Sequence, residues 1–503
     1  MQNIITAIDQ WANEKPEALA YQSEKEEFSY QTLRQWSDNL AHYLNQNIEA
    51  KTPIVVFGEL EFAMLASFLG AAKSGHAYIP IESTTPLDRI QLILKVAQPA
   101  MILSVLPWPE ELNVTIPVVS PEELAEIFTT EHAYEKLQPV MGDETFYIIF
   151  TSGTTGVPKG VQISHKNLLS FVNWDLKDFE IEAGMRFLSQ APYSFDLSVM
   201  SIYPALCSGG TLIPMEKAVI NDFKKLFNFL PNLALEVWVS TPSFMDICLM
   251  EKNFDGEHVP SLKIFQFCGE ELPRKTATEL LRRFPHAKVF NTYGPTEATV
   301  AMTQIEVTEE VLSKYDRVPI GYIKEDTEVL IYDGNRAVTD GIAGEIIIKG
   351  PSVSKGYMHN PEKTAVAFFK IDGVPAYRTG DAGRLQKDGL LLYEGRIDFQ
   401  VKLHGFRIEL EDIDHHLEQV SYVKQATVVP KYQDHKVQQL VAYVVANDND
   451  FEKTYQLTKA VKEELAEAVM DYMIPQKFVY VDQLPRTANG KIDRKRLINE
   501  VNS

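Results

Sequence analysis

The stretch FTSGTTGVPKG, residues 150–160, follows the apolar run FYIIF (146–150) and combines several hydroxyl side chains with three glycines and one lysine. Glycine allows the backbone to turn tightly and to approach a ligand closely. Successive backbone N–H groups with Thr and Ser hydroxyls form a concavity suited to phosphate oxygens, and Lys159 adds a cation. The stretch is not a Walker A loop, because Val157 and Pro158 follow Gly156. It predicts a phosphate-binding loop, with a flexible Gly/Thr turn as the alternative.

The chain around this loop predicts an α/β fold. Short apolar runs with helical stretches between them indicate buried parallel strands with crossover helices, and they are IVVFGE (54–59), AYIPI (77–81), AMILSV (100–105) and FYIIF (146–150). From about Pro319 the runs EVLIYDGN, GEIIIKG and GLLLYEG, which end in glycine turns, indicate an antiparallel region.

Composition limits the possible partners and location. The chain has 503 residues, 45% of them hydrophobic, and a net charge of −21, which argues against nucleic acid and anionic membrane surfaces. The N-terminus has no apolar signal core, and the longest apolar run, FAMLASFLGAA (62–72), is too short to span a bilayer. We therefore expect a cytoplasmic protein without membrane insertion, and we expect a monomer. The widely separated Cys207, Cys248 and Cys268 suggest neither a zinc site nor a disulfide framework.

The charge distribution suggests a separate C-terminal domain. Residues 401–503 contain 14 basic and 16 acidic residues, a net charge of −2, which leaves −19 for the first 400 residues. In this last stretch ATVVP, QLVAYVV and KFVYV predict strands, and LTKAVKEELAEAV predicts a helix.

Further motifs follow the loop in a fixed order: NTYGPTEATV (291–300), GEIIIKGPSVSKGY (344–357), YRTGD (377–381), GRIDFQVKLHGFRIE (395–409) and PRTANGKIDR (485–494). Together with TSGTTGVPKG they resemble the acyl-adenylate-forming superfamily, which includes acyl-CoA synthetases, luciferases and nonribosomal peptide adenylation domains. The resemblance implies a large N-terminal domain (1–397) of two α/β subdomains plus a β-barrel-like subdomain. It also implies a small mobile α+β C-terminal domain (398–503), and ATP and Mg²⁺ as cofactors.

The resemblance implies a role for each motif. Tyr293 would stack on adenine, Asp381 would accept both ribose hydroxyls, and Glu297 would be the Mg²⁺ ligand and a catalytic residue. Without the motifs, each would be read as an ordinary core, turn or surface residue. The implied ATP-binding residues are Thr151, Ser152, Gly153, Thr154, Thr155, Gly156, Lys159, Asn291, Thr292, Tyr293, Gly294, Pro295, Thr296, Asp381, Tyr393, Arg396 and Lys491.

The catalytic cation is expected to come from the C-terminal domain. Lys491 resembles the family lysine that stabilises charge between the α-phosphate and the attacking carboxylate, and that also contacts the substrate. A solvated basic run is the alternative for KIDRKR. In the family this domain rotates between the two steps; Asp398 resembles the hinge residue, and VKLHGFRIE would face the site in the second arrangement.

The substrate class is indicated by YSFDLSVMSIY (193–203). Amino-acid-activating members carry an Asp in FDxS that pairs with the α-ammonium, and Asp196 matches it. A buried carboxylate needs a cationic partner, although Asp196 could instead cap a helix that starts at Leu197. By motif, the substrate site includes Asp196, Leu197, Met200, Cys268, Val300 and Lys491, with Phe267, Thr292 and Ala301 also in the lining.

The expected pocket suits a very small apolar amino acid. FDLSVM, FQFCGEELP and YGPTEATVAMT resemble members that load D-alanine onto a D-alanyl carrier protein bearing phosphopantetheine, for D-alanylation of teichoic acids. Cys268 could select the hand of the substrate, or it could merely pack. The alternatives are a freestanding adenylation enzyme for another small amino acid, an acyl-CoA synthetase, and a catalytically inactive binding protein.

Overall fold

The computed structural model of the chain describes residues 1–49, 51–130, 137–153, 156–338, 341–433, 435–487 and 492–503. The helices, in chain order, are α1 (Ile4–Glu14), α2 (Tyr30–Asn47), α3 (Phe62–Lys73), α4 (Leu87–Ala97), α5 (Pro121–Thr129), α6 (His165–Asp178), α7 (Leu197–Cys207), α8 (Lys217–Ile220), α9 (Phe223–Phe229), α10 (Pro242–Cys248), α11 (Arg274–Arg283), α12 (Glu309–Lys314), α13 (Pro361–Ala367), α14 (Leu410–Leu417), α15 (Thr454–Ala466) and α16 (Arg494–Asn502).

The strands of the N-terminal half are β1 (Leu19–Gln22), β2 (Glu27–Ser29), β3 (Ile54–Gly58), β4 (Tyr78–Glu82), β5 (Met101–Ser104), β6 (Val118–Val119), β7 (Thr145–Thr151), β8 (Lys159–Ser164), β9 (Arg186–Ser189), β10 (Thr211–Pro214), β11 (Val237–Ser240), β12 (Ile264–Phe267) and β13 (Lys288–Tyr293). Those that follow are β14 (Thr303–Glu306), β15 (Gly321–Ile323), β16 (Glu328–Asp333), β17 (Arg336–Ala337), β18 (Gly344–Lys349), β19 (Phe368–Ile371), β20 (Val374–Leu385), β21 (Leu390–Arg396), β22 (Gln400–Leu403), β23 (Phe406–Glu409), β24 (Val423–Gln433), β25 (Lys436–Ala446) and β26 (Lys477–Tyr480).

A six-stranded sheet carries the phosphate loop. Its order is β6-β5-β3-β4-β7-β8, with parallel pairs except for the antiparallel pair β7–β8. The apolar runs predicted as buried strands lie in β3, β4, β5 and β7, so these predictions are confirmed. Strands β3 and β4 are buried at every residue, as expected for parallel strands covered on both faces.

A larger sheet joins the parallel and antiparallel regions. Its path runs β17-β16-β18-β20-β21-β15-β14-β13-β12-β11-β9-β10-β1-β2, and β19 pairs with β20. Parallel pairing ends at β13, because β14 returns antiparallel beside it. The predicted antiparallel region therefore continues the parallel strands in one hydrogen-bonded sheet. One core cluster combines side chains from both sheets, such as Val56 and Tyr78 from the first and Phe187 and Leu212 from the second.

The last hundred residues form a smaller unit with its own core. The hairpin β22–β23 leads into α14, and the sheet β24-β25-β26 packs on α14 and α15 through Ile413, Val428 and Val461. The α/β class and the division into a large N-terminal and a smaller C-terminal domain are confirmed. The boundary at Asp398 is our proposal; the larger sheet ends with Arg396 in β21, two residues before it.

Candidate active site

The phosphate loop connects two paired strands. Thr151 ends β7 and lies opposite Lys159, the first residue of β8. The loop needs glycine at Gly153, because a Cβ there would lie 2.1 Å from the carbonyl oxygen of Val157. The Thr151 hydroxyl is buried and has no hydrogen-bond partner among the described residues. Thr154 and Thr155 lie outside the described residues.

The predicted nucleotide residues converge from three strands. The Tyr293 hydroxyl, at the end of β13, donates a 2.5 Å hydrogen bond to Asp381 Oδ2, and Arg396 Nη1 donates to Asp381 Oδ1 at 2.9 Å. Asn291 Nδ2 donates to the Pro319 carbonyl, and Thr292 Oγ1 donates to the Phe267 carbonyl, both at 2.8 Å.

A small cavity of about 40 Å³ lies beside this group. Asn291, Thr292, Tyr293 and Tyr393 are among its lining residues. The Asn291 Oδ1 atom is buried without a partner among the described residues, which leaves a free acceptor near this cavity. Lys402 also lines the cavity, and its ammonium lies 5.6 Å from the Tyr293 ring centroid, over the ring.

Glu297 is a fully buried, ionised carboxylate. Burial alone would raise its pKa, but the charges of Arg407 and Lys159 and a hydrogen bond from the Tyr357 hydroxyl lower the pKa of Glu297 to about 2. The Tyr357 hydroxyl donates to Glu297 Oε1 at 2.7 Å, and Arg407 forms an ion pair with Oε2. The carboxylate therefore already holds one cation, the Arg407 guanidinium.

Asp196 lies in a cavity of about 340 Å³, a typical size for a ligand pocket. Its backbone is helical and its side chain does not cap α7, so the capping alternative is wrong. Burial raises the pKa of Asp196, against a hydrogen bond from Thr296 and the positive charges of Lys402 and Arg407. A carboxylate in this position can accept an ammonium group.

The predicted substrate residues do not all reach this cavity. Asp196, Leu197, Cys268 and Val300 line it, as do Gly294, Pro295, Thr296, Asp381 and Arg396. Met200, Phe267, Thr292 and Ala301 are not among the residues that line it, and Met200 is fully buried in the core. The Cys268 thiol is also directed at the Val300 carbonyl oxygen, at 3.7 Å.

The wall around Cys268 and Val300 is held in a strained backbone. Thr299 and Val300 have φ values of 60° and 67°, which are unfavourable for β-branched residues. The Thr299 hydroxyl donates to the Ser352 carbonyl at 2.8 Å and fixes this turn.

The other wall of the cavity belongs to the C-terminal domain. The hairpin β22–β23 contributes Lys402, His404, Gly405, Phe406 and Arg407. Gly405 approaches the large domain so closely that a Cβ would lie 2.2 Å from Thr241 Cγ2. Phe406 packs edge-on against Phe195, at 4.8 Å between ring centroids. The segment VKLHGFRIE thus faces the site, while Lys491 lies outside the described residues.

The proposed hinge is tied to the nucleotide residues. Arg396 Nε and Nη2 donate to the two oxygens of Asp398 at 2.8 and 2.5 Å, in addition to the contact with Asp381.

The sequence predicted that VKLHGFRIE would face the site but assigned no individual role to Lys402, Arg407 or Glu409, and it did not identify Tyr357 as a member of the site. Each lies inside a quoted motif, GRIDFQVKLHGFRIE or GEIIIKGPSVSKGY, so the motif positions themselves were the available signal.

Comparisons with known proteins agree with this arrangement. The family AMP-binding enzyme matches residues 8–358, and the family AMP-binding enzyme C-terminal domain matches residues 412–491. A D-alanine–D-alanyl carrier protein ligase of Lactiplantibacillus plantarum is 54% identical, over 100% of this chain and 99% of its own length. The protein with the same description from Listeria monocytogenes is 49% identical, over 99% of both chains.

Solved structures share the fold. An NRPS protein containing adenylation and PCP domains, bound to a vinylsulfonamide inhibitor, has a TM-score of 0.84 at 25% identity and covers 99% of this chain and 84% of its own. The Vibrio cholerae adenylation domain AlmE, in complex with glycyl-adenosine-5'-phosphate, has a TM-score of 0.79 at 24% identity, and the match covers 99% of this chain and 96% of the AlmE chain. Among the described residues, no helix is both long and apolar enough to cross a membrane.

Proposed function

Because the chain belongs to the AMP-binding enzyme family, whose adenylating members use ATP, we propose that it activates D-alanine as D-alanyl-AMP and transfers it to a carrier protein. The acceptor is the phosphopantetheine thiol of a D-alanyl carrier protein, and the product serves the D-alanylation of teichoic acids. The reaction takes place in the cytoplasm, where ATP is available. Relatives about half identical over their full length, described as D-alanine–D-alanyl carrier protein ligases, support this assignment.

One observation carries the substrate class: the half-buried Asp196 faces a cavity that Cys268 and Val300 also line. A carboxylate in a largely apolar cavity is costly unless a cation or hydrogen bonds compensate it. The α-ammonium of an amino acid supplies that cation, whereas a fatty acid supplies none. Leu197 and Val300 also line this cavity, and their apolar side chains suit an amino acid with an apolar side chain.

The nucleotide is held by the groups that surround Asp381. The two carboxylate oxygens of Asp381 accept hydrogen bonds from the ribose hydroxyls, and the Tyr293 ring offers a face on which adenine stacks. The phosphate loop, with Ser152, Gly153 and Lys159, receives the β- and γ-phosphates. Thr154 and Thr155 belong to the same proposal from sequence alone.

The residues present fit a bound Mg²⁺. Within the described residues, no group of three or more His, Cys, Asp or Glu could hold a metal by itself. Mg²⁺ in such sites usually takes one or two carboxylates together with substrate phosphates and water. Glu297 is ionised, buried and already paired with a cation, so it suits this role. When bound, Mg²⁺ would neutralise charge on the phosphates.

The first step forms one bond and breaks one. A carboxylate oxygen of D-alanine bonds to the α-phosphorus, the bond from that phosphorus to the bridging oxygen breaks, and pyrophosphate leaves. Lys491 places an ammonium between the two anionic reactants and stabilises the charge that develops. Asp196 meanwhile holds the α-ammonium and orients the carboxylate toward the phosphate.

The second step uses the other arrangement of the C-terminal domain. The thiol sulfur bonds to the carbonyl carbon, the bond from this carbon to the AMP oxygen breaks, and the thiol proton is released. The position of hairpin β22–β23 at the cavity supports the interpretation that the chain is in this second arrangement. Rotation about Asp398 then exchanges the hairpin for the segment that carries Lys491.

ATP–pyrophosphate exchange tests the proposal directly. D-alanine, L-alanine, glycine, D-serine and a short fatty acid should be compared, followed by transfer to a carrier protein with and without phosphopantetheine. We expect the fastest exchange with D-alanine and transfer only to the modified carrier. Preference for the fatty acid would refute the role of Asp196, and transfer to free CoA alone would replace the carrier with CoA.

A further inference from the structure

The C-terminal domain contacts the nucleotide site through two ion pairs, and it supplies the cation in one and the anion in the other. Arg407 from β23 pairs with Glu297 of the large domain. At the end of the same strand, Glu409 Oε1 accepts from Lys159 Nζ at 3.1 Å, and both side chains are only 10% exposed. The hairpin thus offers a cation to the carboxylate proposed for Mg²⁺ and an anion to the lysine proposed for phosphate.

The phosphate loop also contacts strand β23. The Ser152 hydroxyl donates to the Arg407 carbonyl at 3.0 Å and accepts from the Glu409 backbone N–H at 3.3 Å. A hydroxyl that suits a phosphate oxygen therefore donates to an oxygen of the C-terminal domain instead.

We propose that Arg407 and Glu409 are an internal counterpart of magnesium pyrophosphate. The guanidinium replaces the metal at Glu297, and the carboxylate replaces a phosphate oxygen at Lys159. This inference rests on the proposed function, and it deepens that function by assigning these two positioning residues to the transfer step.

The burial of Glu297 explains why its partner would be exchanged and not simply lost. The side chain is fully buried and forms an ion pair with Arg407. A buried carboxylate is strongly disfavoured when it loses its paired cation. When magnesium pyrophosphate leaves, a new cation is needed at Glu297, and Arg407 arrives with the same rotation that brings Glu409 to Lys159.

The consequence is competition between pyrophosphate and the docked hairpin. Magnesium pyrophosphate and the hairpin cannot occupy Glu297 and Lys159 at the same time, so the hairpin docks only after pyrophosphate is released. Once docked, the hairpin blocks re-entry of pyrophosphate and prevents it from reversing the first step. The acyl-adenylate is thereby committed to transfer.

Binding of magnesium pyrophosphate to the full chain, measured by calorimetry without amino acid or nucleotide, tests this competition. Weakening the docked state removes a competitor, so Arg407→Gln and Glu409→Gln should bind magnesium pyrophosphate about 3- to 10-fold more tightly than the unchanged chain. Arg407→Lys, which retains the charge, should restore most of the original affinity. An affinity that is unchanged or weaker in both Gln variants overturns the proposal.

Matched controls separate this effect from a general loss of charge. Arg384 pairs with Glu394, and Glu463 pairs with the exposed Lys459, both away from the phosphate loop. Arg384→Gln and Glu463→Gln should leave the affinity unchanged. Equal tightening in these controls contradicts a specific role for the hairpin.

A second readout reports the position of the domain and needs neither D-alanine nor a carrier. Spin labels at Lys224→Cys and Tyr455→Cys, both exposed, measure the distance between the domains, because the three native cysteines are buried. Magnesium pyrophosphate should shift the distance distribution in the otherwise unchanged chain, and Arg407→Gln should show the shifted distribution without ligand. A distribution that does not respond to magnesium pyrophosphate overturns the proposal, whereas an incorrect amino acid assignment would alter only the exchange assay.

Discussion

Replacing Asp196 with Asn tests the amino acid site most directly. The change removes one charge and almost no volume from a cavity whose opposite wall carries Lys402 and Arg407. Removing one partner of a buried ion pair typically costs about 3–5 kcal/mol. Asp196 is only half-buried, so we take the lower end, about 3 kcal/mol, which corresponds to a loss of roughly 100-fold in kcat/KM for D-alanine.

The assay is ATP–pyrophosphate exchange with D-alanine and with D-lactate, which has a hydroxyl in place of the ammonium. The unchanged enzyme should strongly prefer D-alanine, and Asp196→Asn should lose most of that preference while D-lactate activation changes little. The four measurements form a cycle that isolates the charge interaction from other effects of the substitution. The KM for ATP should stay within about threefold.

A matched control lies nearby in the chain. Asp222 caps α9 through its side chain, and Asn is an equally good cap, so Asp222→Asn should leave exchange unchanged. The reasoning about Asp196 is refuted if the coupling between the substitution and the substrate is below tenfold, about 1.4 kcal/mol.

Three further predictions concern other parts of the molecule. Lys491→Ala should abolish D-alanine-dependent exchange, yet retain thioester formation from synthetic D-alanyl-AMP, measured by mass spectrometry of the carrier; equal loss of both steps contradicts its assignment to the first step. Cys268→Ala should raise the ratio of the exchange rate with L-alanine to that with D-alanine by about tenfold, because a small change in a pocket is worth about 1–3 kcal/mol. An unchanged ratio would mean that Cys268 only packs. Burial raises the pKa of the Asp175 carboxyl well above its usual value, and Asp178 adds a smaller effect in the same direction. The protonated Asp175 therefore stabilises the native state fully below the pKa of the unfolded chain, and this stabilisation is lost as the pH rises through the native pKa. Asp175→Asn should therefore stabilise the protein at pH 7 by about 1 kcal/mol or more, with a difference that vanishes near pH 4 in thermal unfolding; a destabilised variant at pH 7 contradicts this.

Local patterns predicted the strands well because burial leaves a direct trace in sequence. The runs at β3, β4, β5 and β7 are apolar throughout, as strands covered on both faces must be. The continuity of the larger sheet across β13 and β14 could not be predicted, because it depends on pairing between segments and not on either segment's own composition. The motif order placed Tyr293, Asp381 and Arg396, and the structure brings these three into direct contact.

The contacts of the hairpin could not be derived from sequence. Arg407 and Glu297 are 110 residues apart, and only the docked position of the C-terminal domain brings them together. Met200 shows another limit of the sequence. The motif assigned it to the pocket, but every residue of α7 is buried, and Met200 belongs to a core cluster and is not among the residues that line the cavity. A helix without a polar face gives no sequence signal for which side lines a cavity.

The geometry around Arg396 connects the nucleotide site to the proposed hinge. One guanidinium contacts Asp381, which we assign to the ribose, and both oxygens of Asp398. Gly380, with φ of 68°, leaves room for this arrangement, because a Cβ there would lie 2.8 Å from both Arg396 Nη2 and Asp398 Oδ2. A lysine could not make these contacts at once, since it lacks the planar fork of donors. If the C-terminal domain rotates about Asp398, as we propose, Arg396 would have to exchange these contacts, and the position of the domain would then be coupled through Arg396 to the residue that we assign to the ribose.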